Sequence, residues 1–270
     1  MTDFAATKAM FDLPEGMIYL DGNSLGPLPR AAKDRVGAMM QDEWGRMLIT
    51  GWNKAGWMDK PKALGDRIGR LIGAEPGHVV MGDTLSIKVY QAVASALELN
   101  PGRKVVLSDN GNFPTDLYMA GGLLKSLGPD YELRVVDPEA VEENITDEIA
   151  VLMITEVDYR TGRKHEMKAL TEKAHANGVL TVWDLAHSAG AVPVDLAGCR
   201  ADFAVGCSYK YLNGGPGAPA FIYVAPATRN RSARRCPAGW GMKRLLPLTS
   251  TTAPAMASTG CASVLRRSCN

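Results

Sequence analysis

Short apolar runs separated by helix-forming stretches recur through most of this chain, and that alternation constrains the fold more than any other feature. The runs are HVVMG (78–82), KVVLSD (104–109), YELRVVD (131–137), AVLMITEV (150–157), VLTVWDLA (179–186), FAVGCS (203–208) and APAFIYV (218–224). Most are apolar at nearly every position, whereas a strand with one wet face alternates, so they are expected to be covered on both sides. Thr84 or Ser86 caps a helix through Val89, Val93 and Leu97, and another runs from about Pro114 to Leu127. A third, MKALTEKAHANG (167–178), ends at Gly178. The pattern predicts an α/β fold, a mainly parallel sheet with helices on both faces. Upstream, the turn-rich DGNSLGPLP precedes a helix expected from about Arg30 to Leu48, with Val36, Met39, Met40 and Met47 at near-helical spacing.

Composition narrows the class. At 46% hydrophobic and 22% charged residues over 270 positions, the chain is globular rather than disordered, collagen-like or coiled-coil. No run approaches the ~20 apolar residues of a membrane-spanning helix. The start, MTDFAATKAMFDLPEG, lacks the basic and apolar regions of a signal peptide. A cytoplasmic location and no membrane partner are therefore expected. Cys199, Cys207, Cys236, Cys261 and Cys269 contain no CxxC spacing, which argues against a disulfide framework or zinc ribbon.

In parallel sheets, ligands gather at the carboxyl ends of the strands. There VLTVW delivers Asp184 and His187, FAVGCS delivers Tyr209 and Lys210, HVVMG delivers Asp83 to Ser86, and KVVLS delivers Asp109 to Asp116. A lysine directly after a buried strand and before NGGPG suits a Schiff base, because burial favours the neutral, nucleophilic amine. An aldehyde cofactor such as pyridoxal phosphate also needs a carboxylate beside its ring nitrogen, which Asp184 can supply. Thr84-Leu85-Ser86, where strand gives way to helix, can cradle its phosphate with backbone N–H groups. Phe113 offers an aromatic face. Singly, each has a plainer role: a solvated lysine, helix caps, a core phenylalanine, a structural histidine. Their joint location is what points to a site.

Other chemistries have less support. No GxGxxG follows a strand, no GxxxxGK[ST] occurs, and no GxSxG nucleophile elbow appears, the GNSLG of residues 22–26 lying in a turn-rich stretch. His78, His165, His175 and His187 form no close pair, so no metal site is expected.

YLDGNSLGPLP (19–29), NFPTDLY (112–118), DLAHSAGAVPVDL (184–196) and CSYKYLNGGPGAPAF (207–221) together resemble kynureninase, a pyridoxal-phosphate enzyme family of the type I aminotransferase fold, over about residues 10–226. The resemblance implies that Lys210 carries the cofactor and then moves the substrate Cα proton. It pairs Asp184 with the ring nitrogen, with His187 close by, and stacks Phe113 on the ring. Asp116 is implied as a polar contact, and Leu85, Ser86, Thr155 and Tyr209 as holders of the phosphate or cofactor rim; Tyr209 is also a proton relay. The implied reaction is hydrolysis of L-kynurenine, or its 3-hydroxy form, to anthranilate, or its 3-hydroxy form, and L-alanine, in tryptophan breakdown, by a homodimer. A cysteine desulfurase or other class V enzyme, and a catalytically dead cofactor-binding remnant, remain alternatives.

Charge divides the chain. Residues 1–227 carry 22 basic and 29 acidic side chains, whereas residues 228–270 carry eight basic and no acidic ones, scattered among Pro, Ser, Thr and Cys. A nucleic-acid arm would cluster its basic residues, so no nucleic-acid partner is expected. The resemblance stops near Ala227. The expected organisation is an N-terminal segment (1–50), a cofactor-binding large domain (51–227) and a poorly ordered basic tail (228–270), with the family's small C-terminal domain missing. RCPAGWGMKR back-translates so that a neighbouring frame reads LSGWMGHEA, as expected of a shifted reading frame.

Overall fold

The computed structural model describes residues 3–235. Helix α1 (Phe4–Ala9) leads into strand β1 (Phe11–Asp12), which pairs antiparallel with β2 (Leu28–Pro29) in a small sheet of their own. Helix α2 (Arg30–Ala38) follows, then a π-helix (Met39–Arg46), a 3-10 turn (Leu48–Thr50) and the short α3 (Gly51–Lys54). The remainder is α4 (Lys60–Leu71), β3 (Val79–Met81), α5 (Leu85–Leu99), β4 (Val105–Asp109), α6 (Pro114–Leu127), β5 (Glu132–Val136), α7 (Val141–Asn144), β6 (Ile149–Thr155), α8 (Met167–Ala176), β7 (Leu180–Asp184), β8 (Phe203–Gly206), β9 (Phe221–Val224) and α9 (Pro226–Arg235).

Every apolar run becomes a strand of one sheet, ordered β3-β9-β8-β7-β6-β4-β5. Strands β5, β4, β6, β7 and β8 are parallel; β9 runs antiparallel to both β8 and β3. The sheet is thus mainly parallel, as expected. It turns antiparallel where β8 passes to β9 through the Gly-rich loop rather than over a crossover helix.

Alternate residues of the central strands feed two cores. Val151 and Met153 of β6 and Val182 of β7 face Val89, Val93 and Leu97 of α5 and Leu123 and Leu124 of α6. Leu152, Ile154 and Trp183 face Ile68 of α4, Val141 of α7, and Met167 and Leu170 of α8. Burying each such side chain contributes about 1.5–3 kcal/mol, which is why the central strands carry no polar face. The edge strand β5 buries no residue fully, and Glu132 and Val135 are exposed.

The N-terminal region departs from expectation. The helix begins at Arg30, but its α-geometry ends at Ala38 and the next turns widen into the π-helix. Glu43 on that segment accepts from the Trp57 indole at 2.8 Å and Lys60 at 2.7 Å. Those hydrogen bonds hold its carboxyl down at about 2, Lys60 contributing most. No residue of α2 or the π-helix is buried, and Val36 and Met40 are more than half exposed. Periodicity identifies an apolar face without saying what it meets. Within the basic stretch 228–270, residues 228–235 continue α9; the rest of the expected tail and its shifted-frame segment lie outside the described residues.

Candidate active site

Two strand ends and two helix starts converge at one edge of the sheet. β7 ends on Asp184, and the turn behind it carries His187; β8 leads into Tyr209 and Lys210. Helix α5 opens with Leu85 and Ser86 after Thr84, whose side chain accepts from the Ile87 N–H. Helix α6 opens after Phe113 at its N-cap and carries Asp116 in its first turn. Gly206, just before the lysine turn, lets the Phe221 ring cross the chain, since a Cβ there would overlap it.

Leu85, Ser86, Phe113, Asp116, Asp184, His187, Tyr209 and Lys210 line one cavity of about 100 Å³, joined by Thr115 and Ala186. Thr155 does not reach its wall. It is 2% exposed at the end of β6, donating to the Val157 carbonyl at 3.2 Å and lying 3.5 Å from Asp184 Oδ2. Tyr159, which the sequence reading passed over, packs against His187 with centroids 6.1 Å apart and edge-on to Phe113 at 5.0 Å. It follows β6 at the same strand edge, so inspecting the residues after that run as well would have found it.

The electrostatics are unusual for a buried place. Lys210 Nζ lies 2.6 Å from His187 Nε2 and 5.5 Å from the Phe113 centroid. Burial, with the Lys210 charge adding to it, lowers His187 to about 4, so the imidazole is neutral at pH 7 and accepts from the amine. Asp184 accepts from the Ala186 N–H at 2.9 Å, yet burial raises its carboxyl to about 6 against the opposing pull of that bond, Lys210 and Thr155. Asp116 is raised well above the carboxylate range, by burial first and by Asp184 second, with Lys210 opposing. Its Oδ2 is buried without a hydrogen-bond partner. Burial, with Cys207 next in effect, raises the Tyr209 phenol to about 12, so it is a proton donor at neutral pH. Cys207 itself, pushed up to about 11 by burial, is a thiol rather than a nucleophile.

A roomier cleft of about 540 Å³ lies at the opposite strand edge, among Glu75, His175, Arg200 and Thr228. Its buried carboxylate is already engaged: His175 and Thr228 both bond Asp202, at 2.8 and 3.0 Å. The small cavity is the better candidate because perturbed groups converge there. Among the described residues, no cluster of three His, Cys, Asp or Glu side chains is placed to hold a metal.

Two buried carboxyls beside one amine favour a further positive charge between them. The ring of Phe113 is partly open, and the N–H groups at the start of the 15-residue α5 suit an anion. The donor set therefore fits a flat, cationic, phosphate-bearing ring.

Comparison with known proteins agrees with this geometry. The Aminotransferase class-V family model matches residues 65–260, reaching past Ala227, where the motif resemblance ends. The chain is 51% identical over 241 residues to the kynureninase of Burkholderia pseudomallei (strain 1106a), covering 87% of this chain and 58% of that protein. It is 52% identical over 227 residues to the kynureninase of Pseudomonas fluorescens, covering 82% and 55%. The chain thus spans little more than half the length of these relatives. The apo cysteine desulfurase of Thermococcus onnurineus NA1 shares the fold with a TM-score of 0.67 at 18% identity, over 86% of this chain and 59% of that one. A NifS-like protein does so at 0.64 and 13%, over 78% and 60%. The class-V match and the kynureninase relatives imply pyridoxal phosphate as the cofactor. By its family model the chain belongs to the aminotransferase class-V family, and over most of its own length it is similar to kynureninases.

Proposed function

We propose that this chain is the cofactor-binding body of a hydrolase that converts L-kynurenine, or its 3-hydroxy form, and water to anthranilate, or its 3-hydroxy form, and L-alanine, in tryptophan breakdown. The observation that carries this is the Lys210 amine set against neutral His187, over Phe113, in a pocket with two buried carboxyls, in a chain 51% identical to a kynureninase. When bound, pyridoxal phosphate supplies an electron sink that lets bonds at and beside a substrate's α-carbon break.

The protein's part is holding and proton traffic. Asp184 would keep the ring nitrogen protonated, since a buried carboxylate facing such a cation is stabilised as the anion. Asp116 would add a polar contact near the ring, and Phe113 would offer it an aromatic face. The N–H groups of Leu85 and Ser86, with the Ser86 hydroxyl, take the phosphate, while Tyr209 lies at its rim. Thr155 acts from behind, through Asp184. Lys210 Nζ would hold the cofactor through its aldehyde group and, as a free amine, would take the substrate's Cα proton. His187 accepts a hydrogen bond from that amine and so fixes its direction. Tyr209, protonated at working pH, is the relay that gives a proton onward.

Three further elements of the reading concern setting. A homodimer is supported by the exposed apolar side chains of the N-terminal region, among them Ile18, Leu20, Trp44 and Ile49. Among the described residues, no helix is long and apolar enough to cross a membrane, which supports the cytoplasm as the place of action. Scattered rather than clustered basic residues support the absence of a nucleic-acid partner.

The test is an absorbance spectrum of the protein with pyridoxal phosphate before and after borohydride, then mass analysis of the Lys210 peptide. A reduced adduct on Lys210 and release of anthranilate from kynurenine is the expected result; turnover of cysteine instead would transfer the chain to the desulfurases. An adduct with no turnover of either would leave a cofactor-binding chain, a reading that the 58% coverage of its relatives keeps in view.

A further inference from the structure

The GNSLGP segment is not used by the chemistry above, yet it touches the lysine turn. Gly26 is buried, and its N–H donates to the Tyr209 carbonyl at 2.8 Å. A Cβ on Gly26 would overlap the Lys210 carbonyl oxygen and Asn213 Oδ1, and come within 2.8 Å of Asn213 Cα. The turn it presses on is closed by the Asn213 N–H donating to the Lys210 carbonyl at 2.9 Å and the Gly214 N–H donating to Ser208 at 2.8 Å. Four residues earlier in the arm, Gly22 approaches the Tyr211 ring, which a Cβ there would meet at 3.3 Å. The arm is itself tied: Tyr19 donates its hydroxyl proton to the Leu25 carbonyl, 2.7 Å away.

Gly26 is not among the residues with left-handed φ, so its backbone conformation is open to alanine. What glycine permits here is approach of one backbone to another. We propose that Gly26 is a positioning residue: its backbone seats the turn Tyr209–Asn213 from behind, and so sets where the Lys210 amine stands relative to His187. Movement at Gly26 moves the carbonyls on both sides of the Lys210 Cα, and the amine at the end of that side chain moves with them. The inference rests on Lys210 being the cofactor lysine for its functional meaning, but the seating itself is a property of the protein alone.

The experiment compares the full chain with Gly26→Ala, Tyr19→Phe and the control Gly37→Ala, whose Cβ would meet nothing within 4 Å. Three signals are read: labelling of Lys210 by an amine-reactive reagent relative to exposed Lys125, deuterium uptake over 208–214 against strands β6 and β7, and the visible absorbance maximum with pyridoxal phosphate. Gly26→Ala is expected to change Lys210 labelling by about fivefold or more and raise uptake at 208–214 alone, as local opening does, and to shift the absorbance maximum. Tyr19→Phe, which adds no bulk, is expected to move the signals the same way by a smaller amount, and Gly37→Ala to leave them unchanged. Wild-type labelling and uptake in both Gly26→Ala and Tyr19→Phe would overturn the proposal, as would an equal rise in uptake across β6 and β7. Failure of the wild type to take up pyridoxal phosphate would defeat the reading of Lys210, while labelling and exchange would still decide the seating.

Discussion

The cavity at the strand ends and the N-terminal region up to α4 break the usual partition of side chains in opposite ways. At the cavity, Asp116, Asp184, His187 and Lys210 are each at most 6% exposed. In the N-terminal region, Phe4, Ile18, Leu20 and Ile49 are each at least 77% exposed. A buried polar cluster and an exposed apolar one are the informative departures from the ordinary rule. The first is chemistry tuned by desolvation, and the second is a surface fitted for cover.

Removing the amine breaks the cavity side most severely. Lys210→Met, close in volume, is expected to abolish the borohydride-stable adduct and lower kynurenine turnover by about 10³-fold or more, since both nucleophile and proton carrier are lost. Retention of an adduct at another lysine would refute the assignment.

Asp184→Asn tests the same region in two directions. Cofactor affinity is expected to fall by roughly 100-fold, the scale of a lost charge-assisted contact, measured by titration of the visible band. The cofactor-free protein is expected to gain stability instead. A carboxyl raised from 3.8 to about 6 contributes fully below pH 3.8 and loses that contribution as pH rises through 6. The advantage of the variant over wild type should therefore be small at pH 4 and grow to the order of 1–3 kcal/mol by pH 8. Thermal melts across that range check it, and a flat difference would contradict it.

On the other side of the comparison, Trp44→Glu places a charge on the exposed apolar surface. Self-association, followed by sedimentation, is expected to weaken about tenfold or more, with the adduct on Lys210 unaffected. Unchanged association would free this surface from the proposed dimer.

Thr155→Val should have the smallest effect. Its 3.5 Å approach to Asp184 is a weak bond, so cofactor affinity is expected to fall by less than about threefold. A larger loss would place Thr155 nearer the cofactor than its buried position indicates.

The two regions were also unequally legible. Strands β6, β7 and β8 announce themselves because burial on both faces demands apolar residues throughout, and the strand-end rule then collects Asp184, His187, Tyr209 and Lys210. The antiparallel direction of β9 was hidden, since an apolar run records burial and not orientation. Across α2 and the π-helix the spacing of Val36, Met39 and Met40 gave a face but not its exposure, and nothing local marked the widened turns after Ala38. Tyr159 was legible by the same strand-end rule, applied to the residues after β6. The contact of Gly26 with Tyr209 is made by backbone, which leaves in the sequence only the absence of a side chain.

Strand β3 has a single neighbour, β9, and the bonds between Gly82 or Asp83 and Ala220 extend that pairing toward the start of α5. The edge of the sheet that leads into α5 is thus completed by the strand that emerges late in synthesis. Such long-range pairings form slowly. During translation the parallel centre can assemble while β3 waits, and the pocket closes only after β9 arrives. A chain ended before Phe221 is then expected to keep the parallel centre while β3 lacks its neighbour.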